Sequence, residues 1–235
     1  MKKNILKVLL FLVLANVGFG DVIRISRDYY SIDKGKVYYG NEILEGANPK
    51  TAELIGFSLL KDDKNVYYRG KKIKDVKIKN FEKLGQNYWK NENKIYYQDK
   101  KIENADIMSF KVLNEDYAKD KNHVYCGNEV IDPSPLLGKI KNPETFEFLS
   151  NGILYGKDKY NVYYISSTMS NCFDSYYFIH EVKGINKDKV EVLNKWFIKD
   201  DKNIYFKGKI LEGADYNTFE VLPNGDGKDK NRSYE

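Results

Sequence analysis

Most groups in this chain that could do chemistry recur at fixed spacing. The phrase Asp63-Lys64-Asn65-Val66-Tyr67-Tyr68 shows the pattern: a polar turn, a β-branched residue, then two aromatics. With the β-branched residue as anchor, the repeats centre on Val37, Val66, Ile95, Val124, Val162 and Ile204, with Ser233 as a degraded seventh. They are 29, 29, 29, 38, 42 and 29 residues apart. Four before each anchor stand Asp33, Asp62, Asn91, Asp120, Asp158, Asp200 and Asp229, a column of carboxylates broken once by an amide.

Such a column raises three kinds of chemistry. Calcium is one, with Asp62-Asp63 and Asn224 to Asp229 as oxygen-rich stretches. However, calcium loops need convergent oxygens at alternate positions and a bidentate acid, and here lysines sit inside the turns. Turn formation explains the column better, because Asp and Asn side chains bond their own backbone. Glycoside hydrolysis needs two carboxylates, but the repeat supplies many and selects no pair. Ser166, Ser167 and Ser170 cluster in a loop without a Gly-x-Ser-x-Gly elbow. His123 and His180 are the only histidines. They read as structural, since zinc needs three or four ligands. We expect no catalytic residues, no metal and no cofactor.

The aromatic pairs carry the one binding mechanism the sequence suggests. Alternation along a strand sends the two rings to opposite faces. The second ring shares a face with the anchor and is expected in the core. The first, at Tyr38, Tyr67, Tyr96, Tyr125, Tyr163 or Tyr205, then points the other way. An exposed row of rings could stack on sugars or on an extended peptide. The alternative is that these rings pack against the next repeat.

The two cysteines, Cys126 and Cys172, are an even count in a chain that reads as exported, and are expected to pair. Cys126 occupies an aromatic column and Cys172 lies in an insertion. By the chain-entropy account a bridge of this span contributes about 4 kcal/mol. A buried thiol at Cys126 and a free one at Cys172 is the alternative.

The elements that position these groups are short strands and turns. Each repeat runs a strand into Lys-Asp, turns, carries the aromatic pair outward, and turns again at Gly40-Asn41, Arg69-Gly70, Gln98-Asp99, Gly127-Asn128 or Lys207-Gly208. A short apolar pair follows, then a tight or single helical turn capped by Asp106 or Asp215. A Phe-x-Val-Leu strand, as at Phe110 to Leu113 and Phe219 to Leu222, closes the repeat. Val22 to Ile25 is a first strand or a capping segment. Chemistry and spacing together resemble the DKNYY family of bacterial proteins, over essentially the whole chain after its first residues. That resemblance implies an exported repeat protein with no established activity and no catalytic residues to carry over. Asn91-Glu92-Asn93-Lys94, Lys159-Tyr160-Asn161 and Cys126 depart from its pattern.

We expect an all-β fold of tandem ~29-residue hairpin repeats, stacked as an elongated array, with β-propeller-like closure as the alternative. A repeat this short cannot bury both faces of its own sheet, so stacking neighbours must do so. Residues 1–20 read as a signal peptide: Lys2 and Lys3, an apolar Ile5 to Val17, then Gly18-Phe19-Gly20. Residues 21–235 form the repeat domain, about six repeats and a partial seventh. Insertions fall in the fourth, around Pro133 to Gly138, and in the fifth, Ile165 to Phe178. Insertions in repeat proteins gather on one face, often the binding face.

Charge narrows the partners. Removing Lys2, Lys3 and Lys7 with the leader leaves 36 basic against 34 acidic residues, a net of +2. Lys71-Lys72 and Lys77 to Lys79 are local and interrupted, so no basic stripe for nucleic acid is expected. Nor is a transmembrane segment once the leader is gone. The 20 tyrosines suit a thin core, because the hydroxyl tolerates partial exposure. These readings give a non-enzymatic, exported binding or scaffolding module at the cell envelope, periplasmic, cell-surface or secreted. The alternative is a carbohydrate- or cell-wall-binding module using exposed tyrosines. A cell-wall glycan or a surface protein is the candidate partner, and self-association through a C-terminal strand edge is expected. A hydrolase sited in residues 166–175 is a third reading.

Overall fold

A computed structural model describes residues 23–24, 29–56, 58–74, 76, 78–131, 136, 138–150, 154–168, 172 and 175–235. The expected leader, residues 1–20, lies outside the described residues, as do Ser170 and parts of both insertions.

The described residues fold as seven small antiparallel sheets in tandem, none closed into a barrel. Sheets A (23–43), B (53–72), C (81–101), D (111–130), E (147–181) and F (191–210) have four strands each, and G (220–234) has three. Every sheet is a meander, with strands paired in chain order. Ile23–Arg24 is a strand, pairing with Tyr30–Asp33. A 3-10 turn, Pro143–Thr145, is capped by the Asn142 side chain. Among the described residues, no helix is long and apolar enough to cross a membrane.

The Phe-x-Val-Leu strands do not close a sheet; they open the next one. Phe81–Lys83 pairs with Tyr88–Asn91, and Glu220–Val221 pairs with Gly227–Lys228. The structural unit is therefore shifted in phase from the sequence repeat. From sheet B onward, each sheet begins with the tail of one repeat and continues into the hairpin of the following one. Covalent continuity and sheet pairing thus both link neighbours.

The chain divides into two compact halves, Met1–Ile102 and Glu103–Glu235. Within each, successive sheets pack face to face. In the first, Tyr30, Val37 and Tyr39 of sheet A meet Leu60 and Tyr67 of B. The other face of B, with Leu59, Val66 and Tyr68, meets Trp89 and Tyr96 of C. In the second half, Tyr117, Val124 and Cys126 of D meet Phe146, just before sheet E, and Tyr163 of E. Tyr155, Val162 and Tyr164 of E meet Ile198 and Tyr205 of F, and Phe197 and Ile204 of F meet Phe219, just before sheet G, and Tyr234 of G. Within each half, the anchor and second aromatic face the following sheet and the first aromatic faces the preceding one.

Candidate functional site

The carboxylate column builds one local arrangement several times. At Asp120, Oδ1 accepts hydrogen bonds from the Asn122 and His123 amides at 2.7 and 2.8 Å. Its Oδ2 accepts from the Asp106 amide at 2.7 Å and the Tyr125 hydroxyl at 2.7 Å. The first two bonds close the hairpin turn. The third comes from the linker that precedes the sheet. The fourth comes from the first aromatic of the pair. Asp158 repeats this with Tyr160, Asn161, Asn142 and Tyr163. Asp200 does so with Lys202, Asn203, Asn186 and Tyr205. Asp62 and Asp229 make the same set, ending on Tyr67 and Tyr234.

All five carboxylates are buried, and a buried charge is tolerable only when its lone pairs are filled. Burial alone would raise the Asp158 pKa. The Tyr163 hydroxyl and the three amides outweigh it and hold the carboxyl below its usual range. Asp200 is held low for the same reasons. The tyrosines move the other way. Burial, then the Asp62 charge, pushes Tyr67 up to about 12. Burial, with Asp200 adding and the Asn203 side chain offsetting, takes Tyr205 to about 12. A phenol held neutral against a carboxylate held ionised is a stable donor and acceptor pair at neutral pH.

This geometry corrects the expected row of exposed rings. Tyr67, Tyr96, Tyr125, Tyr163 and Tyr205 are all buried, and Tyr38 is half-buried. The first aromatic does point away from the anchor's face, but within each half that face is covered by the preceding sheet, and at Tyr125 by Phe110 of its own linker. Sheet A is the first described sheet, which fits the greater exposure of Tyr38. A ring enclosed in this way offers no face to a sugar.

One column escaped the sequence reading. Thr51, Ser109, Thr145 and Thr218 each accept, through the side-chain oxygen, from the amide that follows the carboxylate: Asp63, Lys121, Lys159 and Lys230. Three of them stand 14 residues after an anchor, and that spacing was the available signal.

Tandem sheets are stapled at a second place. The Tyr30 hydroxyl of sheet A donates to the Ser58 carbonyl and accepts from the Gly70 amide of sheet B, both at 3.1 Å. Tyr155 of E does the same with the Trp196 carbonyl at 2.8 Å and the Gly208 amide at 3.0 Å of F. Gly70 and Gly208 have positive φ, and a Cβ there would lie 2.8 and 2.5 Å from the Cβ atoms of Tyr39 and Tyr164. Only glycine fits both demands.

The fifth repeat's insertion lengthens a hairpin. Strand Val162–Ser167 pairs with Tyr177–Glu181 over five residue pairs, where most sheets end in a two-residue strand. Ser166 and Ser167 therefore lie on a strand, opposite Phe178 and Tyr177, and not in a loop. A disulfide joins Cys126 of sheet D to Cys172, with the Cα atoms 5.1 Å apart. The bridge stands where other repeats carry the second aromatic, and ties the hairpin tip to the sheet below. His123 closes the turn of sheet D, its ring edge-on to Tyr125, and His180 is exposed opposite Tyr164. Among the described residues, no cluster of His, Cys, Asp or Glu could hold a metal ion.

The DKNYY family model matches residues 11–87, 53–100 and 88–235. The chain belongs to the DKNYY family. The overlap of the matched segments reflects the internal repeat, and the family's namesake residues are the ones that make the carboxylate-centred turn. No curated protein and no solved structure matches the chain.

Proposed function

We propose that this DKNYY protein is a non-enzymatic, exported module that binds or scaffolds at the cell envelope. One observation carries the reading. The recurring carboxylates and phenols, the groups best suited to chemistry, are engaged with each other and with backbone in the interior. Their work is to hold successive sheets together, as expected of a protein whose use is its surface. The disulfide between Cys126 and Cys172 supports an oxidising destination.

A glycan is the partner we favour over a surface protein, through rings other than those expected from sequence. Tyr39, Tyr68 and Phe206 at the second turns, and Trp196, whose carbonyl accepts from the Lys207 amide, are partly exposed, and partly exposed rings present flat apolar faces to sugars. The test is binding of the purified protein to cell-wall polysaccharide and to a glycan array. Saturable binding without turnover of the material supports the reading; hydrolysis would overturn it. N-terminal sequencing of protein recovered outside the cytoplasm checks export, with Asp21 as the expected first residue.

A further inference from the structure

We propose that the second turns form a strip of alternating rings and cations that binds an anionic polysaccharide. This rests on the binding-module reading and names its site and ligand class.

The strip is built the same way in each half. In the first, the Tyr29 ring, 60% exposed, lies 5.2 Å from that of Tyr39. Tyr39 packs on Gly70. The exposed Arg69 places its guanidinium 5.3 Å over the Tyr68 ring, and the Tyr68 hydroxyl donates to Gln98 Oε1 at 2.6 Å. The edge strand Lys71–Lys72 is exposed beside these rings, opposite Tyr68 and Tyr67. In the second half, Tyr164 is buried and packs on Gly208, so the partly exposed rings there are Phe206 and Trp196. Lys207 lies 4.5 Å over Phe206 and 5.1 Å over Trp196, and Lys195 lies 4.7 Å over Trp196.

Cross-strand neighbours set these cations apart. Lys61, Lys90, Lys157 and Lys199 each pair with a glutamate directly across or beside them on the opening strand. Lys71, Lys72 and Lys209 stand opposite aromatics. Lysine on an edge strand also deters edge-to-edge pairing, but that purpose does not require a cation over a ring in both halves. Ring faces suit the C–H faces of sugars, and cations over them suit carboxylates or phosphates carried on those sugars. The exposed Asp99 beside the strip and the low net charge, without the clustered basic stripe that a phosphate backbone calls for, favour an anionic sugar polymer over a nucleic acid.

Titration calorimetry with polygalacturonate, dextran and poly(U) tests this. Saturable binding of polygalacturonate is expected, weakening as salt rises, with dextran unbound. Arg69→Gln with Lys71→Gln and Lys72→Gln should weaken binding about tenfold, as should Lys195→Gln with Lys207→Gln and Lys209→Gln. Lys71→Glu with Lys72→Glu, on an exposed edge, is the alternative should a triple variant unfold. The proposal is overturned if polygalacturonate is not bound, if the variants bind it like wild type, or if dextran or poly(U) binds as tightly. Saturable binding of cell-wall polysaccharide kept by all variants would overturn this site and leave the binding-module reading standing. No binding to any of these would overturn both.

Discussion

The Tyr163 hydroxyl donates to the Asp158 carboxylate at 2.7 Å, five residues upstream in the same hairpin. The same carboxylate takes the Asn142 amide from the linker before the sheet. One charge thus fixes a turn, an inward ring and the crossing between sheets. Because the arrangement recurs at Asp62, Asp120, Asp200 and Asp229, each joint can be tested by itself.

Removing the phenol should weaken a joint without dismantling it. Tyr125→Phe deletes the donor to Asp120 while keeping the ring, and should cost about 2 kcal/mol, as for a hydrogen bond to a charged group. Asp120→Ala strands several donors and should cost more. Urea denaturation measures both; equal stability of Tyr125→Phe and wild type would deny the bond its role.

Acid should attack the same joints. The Asp158 and Asp200 carboxyls are held low in the folded protein. Their contribution is therefore present above the unfolded value of about 3.9 and is lost as pH falls through the depressed folded values. Asp158→Asn should be less stable at neutral pH, and its melting temperature should fall less between about pH 5 and pH 2 than that of wild type. Parallel pH profiles for the two proteins would contradict this account.

Alkali should reveal the enclosed phenols. Tyr67 and Tyr205 are raised to about 12 in the fold, as is Tyr30, chiefly by burial. Their stabilisation is full below the unfolded value of about 10 and is lost as pH rises toward the folded one. Absorbance titration of phenolate should show exposed tyrosines ionising near pH 10, then a later group ionising as circular dichroism is lost. A single transition near pH 10 with structure retained would mean that the rings are accessible.

The turn glycines should not be equivalent. Gly208→Ala meets the Tyr164 Cβ at 2.5 Å and also has φ +79°, whereas Gly40, at φ +59°, has nothing within 4 Å of an added Cβ. Gly40→Ala should cost about 1 kcal/mol from backbone strain alone, and Gly208→Ala clearly more. Thermal melts of the two variants decide it, and equal losses would mean that the sheets can slide apart at this staple.

Reducing the disulfide should loosen the lengthened hairpin before the rest. Cys126→Ser with Cys172→Ser should lose up to about 4 kcal/mol, with hydrogen exchange rising first in strand Tyr177–Glu181. Unchanged protection there would place the bridge outside the hairpin's stability.

The sequence by itself determined the features that short-range chemistry controls. The 29-residue period, the all-β character and the Asp-led turns are local: Asp158 bonds amides two and three residues away, and nothing distant is needed to form that loop. Alternation correctly separated Val66 from Tyr67. It did not decide which side was buried, because burial depends on what stacks against each face. Asn142 reaches Asp158, and sheet A reaches Tyr67, only once the chain has crossed between sheets. For the same reason Phe81 reads as the end of its repeat, although it pairs forward with Asn91. The half-exposed ring column at Tyr39, Tyr68 and Phe206 became visible only when stacking had enclosed its neighbour.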